Sequence, residues 1–173
     1  MKKRIIALAV SGACLLSVSS FAMTHPSLDS QVMPVSVASP IVLHANLNVP
    51  QEVSQTATNT PATAVGVASM LFTPSTDTLQ YAISYAGLSS APFMAHFHFG
   101  LPSTNGPILQ TICGKPKPTL EGACPDANAG MMHGSWHLSA SEAKDLLMGK
   151  VYINLHTKLN QNGEIRGQVI PGV

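Results

Sequence analysis

From residue 41 onward, short runs rich in apolar, β-branched and aromatic residues alternate with clusters of Pro, Gly, Asn and Thr. This pattern is typical of strands joined by turns. It predicts strands over residues 41–48, 63–73, 78–86, 93–99, 107–112, 133–138, 150–157 and 164–170. Turns over 73–77 and 160–163 would close two hairpins, the second with Asn162-Gly163 supplying positive φ values.

One short helix interrupts the predicted strands at about residues 140–148. Ser139 and Glu142 fit a capping box, Leu146 and Leu147 give the segment an apolar side, and Gly149 would end it. No internal repeat and no second helical segment accompany it, which argues against a βαβ architecture. We therefore expect an all-β fold, a Greek-key-like β-sandwich or flattened barrel with one short helix.

The N-terminus has the pattern of an export signal. Basic residues 2–4 precede a mostly apolar run over 5–18, and small residues then lead up to Ala22. This predicts a signal peptide over 1–22 that is cleaved after Ala22, and a periplasmic or secreted protein. A transmembrane anchor is the alternative, but the run of about 14 residues is shorter than the roughly 20 that span a bilayer. Lipidation at Cys14 is a second alternative.

Residues 23–40 carry three prolines and show no clear period. We expect a linker or flexible arm there, followed by one β domain over 41–173. Removing residues 1–22 leaves 151 residues with 6 Lys+Arg against 8 Asp+Glu, a net charge near −2. This balance argues against nucleic-acid binding, and no basic amphipathic helix indicates membrane insertion after cleavage. A protein partner or a homodimer stays possible.

Two cysteines remain after cleavage, Cys113 and Cys124. In an oxidising compartment they allow a single intramolecular disulfide. The segment between them contains two prolines and Gly122, so a bridge would constrain an irregular loop. A two-cysteine metal site is the alternative, but the pair lacks the usual C-x2-C spacing.

The candidate chemistry lies in the histidines. In the strand over 93–99, period two places His96 and His98 on one face. In the strand over 150–157, His156 belongs to the set opposite the apolar residues. If the two strands lie side by side, the three imidazoles form a site suited to copper, with zinc as the alternative. The same histidines could instead line a polar sheet face and brace the fold.

A fourth ligand could come from His133, which follows Met131-Met132, two residues suited to soft Cu(I). His133 and His137 would share a strand face about 13 Å apart, so both cannot bind one ion. A surface position is the alternative for each. Trp136 would then point the opposite way, into the core. His25 and His44 have no motif around them.

Several segments together resemble the CHRD (chordin-type) domain over roughly residues 41–171. They are QEV at 51–53, TDTLQY at 76–81, AHFH at 95–98, NGPI at 105–108, YINLHT at 152–157 and NGEIRGQ at 162–168. The closing stretch is the most specific of these. The resemblance implies an extracytoplasmic β-sheet domain that occurs singly in bacteria, with a poorly defined biochemical role.

A fainter similarity connects residues 95–100 with the copper-ligand strand of Cu/Zn superoxide dismutase. By that similarity, His96, His98 and His156 would be copper ligands, and Arg166 would follow the last of them as an anion-steering residue. Pairing of Arg166 with Glu164 or another acidic residue is the alternative. The chain has no recognisable zinc loop, which argues against dismutase activity.

Three functional hypotheses follow. The first is an exported copper-binding protein with the ligands His96, His98 and His156 and a possible fourth, His133. The second is a non-catalytic structural or interaction module, and the third is a dismutase-like redox enzyme. No catalytic triad, paired carboxylate motif or phosphate-binding glycine loop occurs in the sequence, so an enzyme is the less favoured class.

Overall fold

Nine strands and one α-helix lie within the described residues. The computed structural model describes residues 38–53, 60–61, 63–115 and 122–172. Its helix α1 spans Ala140–Leu147, and a 3₁₀ turn spans Val49–Gln51. Its strands are β1 (Ile41–Asn48), β2 (Val65–Thr73), β3 (Thr78–Ala86), β4 (Pro92–Phe99), β5 (Ile108–Cys113), β6 (Gly130–His137), β7 (Val151–Thr157), β8 (Ile165–Gln168) and β9 (Ile170–Pro171).

The predicted signal peptide over 1–22 lies outside the described residues, as does most of the predicted arm over 23–40. Residues 38–40 enter β1 without regular secondary structure. In the part of the chain that the structure describes, no helix is long and apolar enough to cross a bilayer.

All strands belong to one antiparallel sheet that curls into a nearly closed, flattened barrel. The strand order is β5-β4-β7-β8-β1-β2-β3-β6, and β9 adds to β1. The all-β prediction is confirmed. Because β4 pairs with β7, two strands that are distant in sequence lie side by side, and this pairing positions the site described below.

The predicted strands agree with the observed ones, with two differences. β6 begins at Gly130 rather than 133, because Gly130 to Met132 already pair with β3. The predicted last strand divides at Val169, where the chain leaves its pairing with β7 and β9 pairs with β1. Residues 130–132, which precede the predicted strand, are therefore part of it.

The side chains inside the barrel come from alternate positions along each strand. β2 and β3 alternate exposed or half-buried residues with buried ones along almost their whole length. At the centre, the ring of Phe97 packs 5.3 Å from Trp136 and meets Tyr81 edge-on at 5.2 Å. Trp136 is buried while His133 and His137 are exposed on the other face of β6, as predicted.

β4 and β7 depart from this alternation. Every residue of β7 is buried, and β4 is buried on both faces from Ala95 to His98. Up to Leu155 in β7 and over 95–98 in β4 the inward residues are apolar, whereas the outward ones are polar and are covered by loops. A polar layer is thus enclosed between the barrel wall and the loops outside it.

The local predictions at α1 and at the disulfide are also confirmed. Ser139 and Glu142 form the capping box, and Gly149 takes a positive φ of 68° after the helix. Cys113 and Cys124 are joined with their Cα atoms 5.0 Å apart. In the turn over 160–163, only Gly163 has a positive φ, at 127°, so the predicted positive φ at Asn162 is wrong.

Candidate metal centre

Three histidine side chains converge on the outer face of the β4–β7 pair. Their candidate ligand nitrogens all lie within 4.8 Å of one another. His96 and His98 share a face of β4 by the two-residue period, and His156 reaches them from β7. Within the described residues, no other group of three or more His, Cys, Asp or Glu converges in this way.

Each of the three rings has one nitrogen facing a backbone carbonyl. His98 Nδ1 lies 3.0 Å from Gly106 O, and His156 Nδ1 lies 3.0 Å from Gln161 O. His96 Nε2 faces Lys115 O. A carbonyl oxygen can only accept a hydrogen bond, so we assign the proton of each neutral ring to these nitrogens.

The remaining nitrogens must then carry lone pairs. They are His96 Nδ1, His98 Nε2 and His156 Nε2. The first and the last of them are 3.3 Å apart, and two lone pairs at that distance repel each other. His98 Nε2 is buried and has no hydrogen-bond partner among the described residues. The cluster therefore lacks positive charge at its centre, which either a proton or a metal ion could supply.

Burial disfavours protonation of the three imidazole rings. It lowers the pKa of His156 from 6.5 to about 4, although the bond to Gln161 O opposes the shift. Burial also lowers the pKa of His96 and of His98, against the opposing effect of their carbonyl bonds. The three rings are consequently neutral near pH 7, which is the protonation state that binds a metal.

Loops supply the three carbonyls that orient the rings. Gly106 approaches the end of β4 so closely that a Cβ atom there would collide with Phe99 O. Lys115 follows the disulfide-bonded Cys113 by two residues, and Gln161 lies in the turn that Gly163 closes. The orientation of the rings thus depends on loops from three separate parts of the chain.

Two stacked side chains flank His98. The Tyr152 ring lies parallel to the His98 ring, 4.9 Å away and inclined by 8°. The Arg166 guanidinium carbon lies 3.5 Å from the centroid of the Tyr152 ring. This cation–π contact fixes the tyrosine, and the positive charge of Arg166 contributes to lowering the pKa of His98.

The alternative interpretation of Arg166, an ion pair with Glu164, is wrong. Arg166 is only 1% exposed, and it donates hydrogen bonds of 2.9 Å to Thr104 O and to Leu101 O. These bonds hold the loop that carries Gly106 against the sheet. The surface ion pair expected from the sequence does not form because β8 turns Arg166 beneath that loop.

Glu164 is instead the centre of a second buried cluster. Its carboxylate accepts 2.6 Å hydrogen bonds from both the backbone N–H and the hydroxyl of Ser89. It also accepts hydrogen bonds from Thr157 Oγ1 at 2.5 Å and from Asn160 Nδ2 at 3.1 Å. The cluster fastens the turn that carries Gln161, and the sequence analysis missed it. No local pattern marks this cluster, because Glu164 precedes β8 and its partner Ser89 lies 75 residues away in the sequence.

Glu52 is a second buried carboxyl group whose role could not be predicted from the sequence. It accepts a hydrogen bond from Asn154 Nδ2, and a Cβ atom on Gly163 would lie 2.6 Å from its Oε2. Burial raises the pKa of Glu52 to about 8, against the opposing effect of Arg166. Glu52 is therefore mostly protonated at pH 7. Asn154 lies between His96 and Arg166 in the strand register.

The structure does not bring His133 to the three-histidine group. His133 is exposed on β6, where it pairs with Ala82 of β3. Of the predicted site residues, His96, His98 and His156 come together, with Arg166 behind Tyr152 at one side.

Comparison with known proteins gives one match. The sequence model of the CHRD domain family matches residues 43–169, most of the chain, and the chain therefore belongs to this family. No curated protein and no solved structure matches it significantly. The resemblance to CHRD domains is confirmed, whereas the fainter similarity to superoxide dismutase gains no support.

Proposed function

We propose that this CHRD-domain protein binds one copper ion through His96 Nδ1, His98 Nε2 and His156 Nε2. The observation that carries the proposal is the arrangement of the carbonyls: each ring donates its only proton outward, which leaves three lone pairs directed toward one another. Metal-binding histidines characteristically donate their second N–H to a carbonyl or carboxylate in this way.

The charge requirement favours a metal over a proton. A single proton between His96 and His156 would relieve their 3.3 Å contact but would leave His98 Nε2 without a partner. Since burial lowers the pKa of all three rings, that proton would also be held weakly at neutral pH. One divalent or monovalent metal ion satisfies all three nitrogens at once.

The donor set supports copper, with zinc as the alternative. Imidazole nitrogen suits both metals, and divalent copper binds a given nitrogen site more tightly than zinc does. Three histidines leave at least one coordination position for water or another ligand. His133 is outside the proposed ligand set because it lies on the exposed face of β6.

The disulfide between Cys113 and Cys124 supports a periplasmic or secreted location, since such bonds persist in oxidising compartments. The predicted signal peptide over 1–22 supports the same location. The protein would then bind its metal outside the cytoplasm, where the disulfide holds the loop that carries Lys115.

The test is elemental analysis of the purified protein, followed by competition titration of the chelator-stripped protein with Cu(I), Cu(II) and Zn(II). We expect one equivalent of copper in the wild type and none in His96→Ala, His98→Ala or His156→Ala. His133→Ala is the matched control, because it removes a histidine from the same domain at an exposed position. It should retain full stoichiometry.

A substitution in the buried cluster could also unfold the protein, so His98→Gln is a second variant of similar size whose amide can still donate to Gly106 O. Circular dichroism would confirm that it is folded. Folded wild-type protein that binds none of the three ions would contradict the proposal and would favour the structural or interaction module. Tighter binding of zinc than of either copper ion would contradict the choice of copper.

A further inference from the structure

One more residue of β4 belongs by strand periodicity to the face that carries His96 and His98. Met94, His96 and His98 alternate with Ala95 and Phe97, so the thioether lies on the same outer face as the two imidazoles. In the register between β4 and β7, Met94 is directly opposite His156. Opposed residues in antiparallel strands have Cβ atoms roughly 4.5–5.5 Å apart, which a methionine side chain spans.

The backbone fixes this placement. The register between β4 and β7 shifts between Pro92 and Met94, so that Met94 rather than Phe93 opposes His156. Gly114 packs against this point with a positive φ of 83°, and a Cβ atom on it would lie 3.0 Å from Met94 Cα. The adjacent disulfide at Cys113 holds Gly114 in place.

Several groups already contact the three rings. Tyr152 stacks on His98, and three carbonyl groups take up the outward nitrogens of the rings. Met94 is half-buried and is the only sulfur-containing residue of β4 and β7. Its position beside His156 is therefore the one from which a soft ligand on these two strands could reach the cluster.

We infer that Met94 supplies a thioether as the fourth ligand and makes the site selective for Cu(I). The inference rests on the proposed function. Thioether sulfur is a soft ligand that favours monovalent copper, whereas the usual protein ligands of zinc are thiolate, imidazole and carboxylate groups. Met94 is then the residue that determines which metal and which oxidation state the three histidines retain.

The test compares the wild type with Met94→Leu, a substitution that preserves volume and apolar character. Met131→Leu is the matched control, since Met131 is exposed on the outer face of β6. Cu(I) affinity is measured anaerobically by competition with a chromogenic chelator. Ascorbate serves as the reductant in place of a thiol, so that the Cys113–Cys124 disulfide stays closed. Zn(II) affinity is measured in parallel.

Met94→Leu should bind Cu(I) at least about tenfold more weakly. Even the loss of a residue that only orients a metal ligand typically lowers metal affinity by about 10–100-fold. Its Zn(II) affinity should stay within about twofold of wild type, a free-energy difference of less than about 0.5 kcal/mol. The sulfur signal in the copper X-ray absorption spectrum should disappear. Met131→Leu should match the wild type in all three measurements.

The outcomes separate this inference from the proposed function. Equal Cu(I) affinity in Met94→Leu and wild type, with copper still lost in His98→Ala, would overturn the role of Met94 and retain the three-histidine site. A parallel loss of Cu(I) and Zn(II) affinity in Met94→Leu would also overturn it, because the effect would then be structural. A wild type that binds no metal would overturn both proposals.

Discussion

The two faces of the β4–β7 pair are both buried, but they are built in different ways. On the inner face, Phe97 and Ile153 lie among apolar side chains, and burial itself stabilises them. On the outer face, His96, Asn154 and His156 are 1%, 4% and 8% exposed, although each is polar. Burial of these groups costs free energy unless each polar atom has a partner.

The difference shows what each face requires. The inner face needs only suitable shapes and volumes, which the barrel strands provide. The outer face needs partners from loops that are distant in sequence, and even these leave three imidazole nitrogens unsatisfied. The inner face therefore stabilises the fold. The outer face leaves three nitrogen lone pairs without a partner, which a bound cation would satisfy.

The largest expected effect comes from breaking the inner face with Phe97→Ala. Phe97 is fully buried between Trp136 and Tyr81, so its loss leaves a cavity. We expect the free energy of unfolding to fall by about 3–5 kcal/mol, whether or not metal is present. Denaturant titration with and without chelator would measure this.

Phe99→Ala is the control for that experiment, because Phe99 ends the same strand but is 37% exposed. Its loss should cost less than about 1 kcal/mol. Equal costs at the two positions would show that the inner face of β4 does not carry the stability assigned to it here.

The next largest expected effect is a loss of about 3 kcal/mol in the free energy of unfolding when His156, on the outer face, becomes protonated. The pKa of His156 is about 4 in the folded protein and near 6.5 when unfolded, so the unfolded state binds protons first as the pH falls. The contribution to stability is fully present above pH 6.5 and is lost progressively toward pH 4. Denaturant titrations of chelator-treated protein at pH 7, 5.5 and 4 would detect it.

In His156→Gln this part of the pH dependence should disappear, while His137→Gln, at an exposed position on β6, should leave it intact. If the wild type and His156→Gln lost stability in parallel between pH 7 and pH 4, the imidazole of His156 would not be held neutral by its surroundings.

The smallest expected effect comes from removing one hydrogen bond on the outer face. Tyr152→Phe removes the hydroxyl that accepts a 3.3 Å hydrogen bond from Gly106 N but keeps the ring between His98 and Arg166. Loss of one such bond should cost about 0.5–1.5 kcal/mol. Copper affinity should change little, since the stack on His98 remains.

Denaturant titration and metal competition on the same preparation would check both parts of this expectation. Tyr152→Leu is the informative comparison, because it removes the aromatic stack as well as the hydroxyl. If Phe and Leu at this position gave the same copper affinity, the stack of Arg166, Tyr152 and His98 would have no part in holding the ligand ring.

Periodicity in the sequence was sufficient to predict the inner face. Alternation placed the strands, put Trp136 in the core and assigned His96 and His98 to one side of β4. The capping box at Ser139 and the single disulfide were equally readable, since each depends on short spacings or on simple pairing.

The outer face could not be predicted to the same depth, because its partners come from long-range contacts. Nothing local marks Glu52 as the acceptor for Asn154, 102 residues away. For Arg166 the sequence suggested anion steering or an ion pair with an acidic residue, and only the fold of the loop over 101–106 shows that carbonyls accept its N–H groups. The carbonyls that orient the three histidines were likewise unpredictable from spacing.

The antiparallel pairing of β4 with β7 has a consequence for biosynthesis. His96 and His156 are 60 residues apart, and the chain beyond His156 must also be in place, because it carries Glu164 and, in β8, Arg166. Closing so long a loop is entropically expensive and comes late in assembly. If the three histidines bind an ion as proposed, a chain truncated before β8 would lack the complete site, and retention of the ion would report that the polypeptide had folded completely.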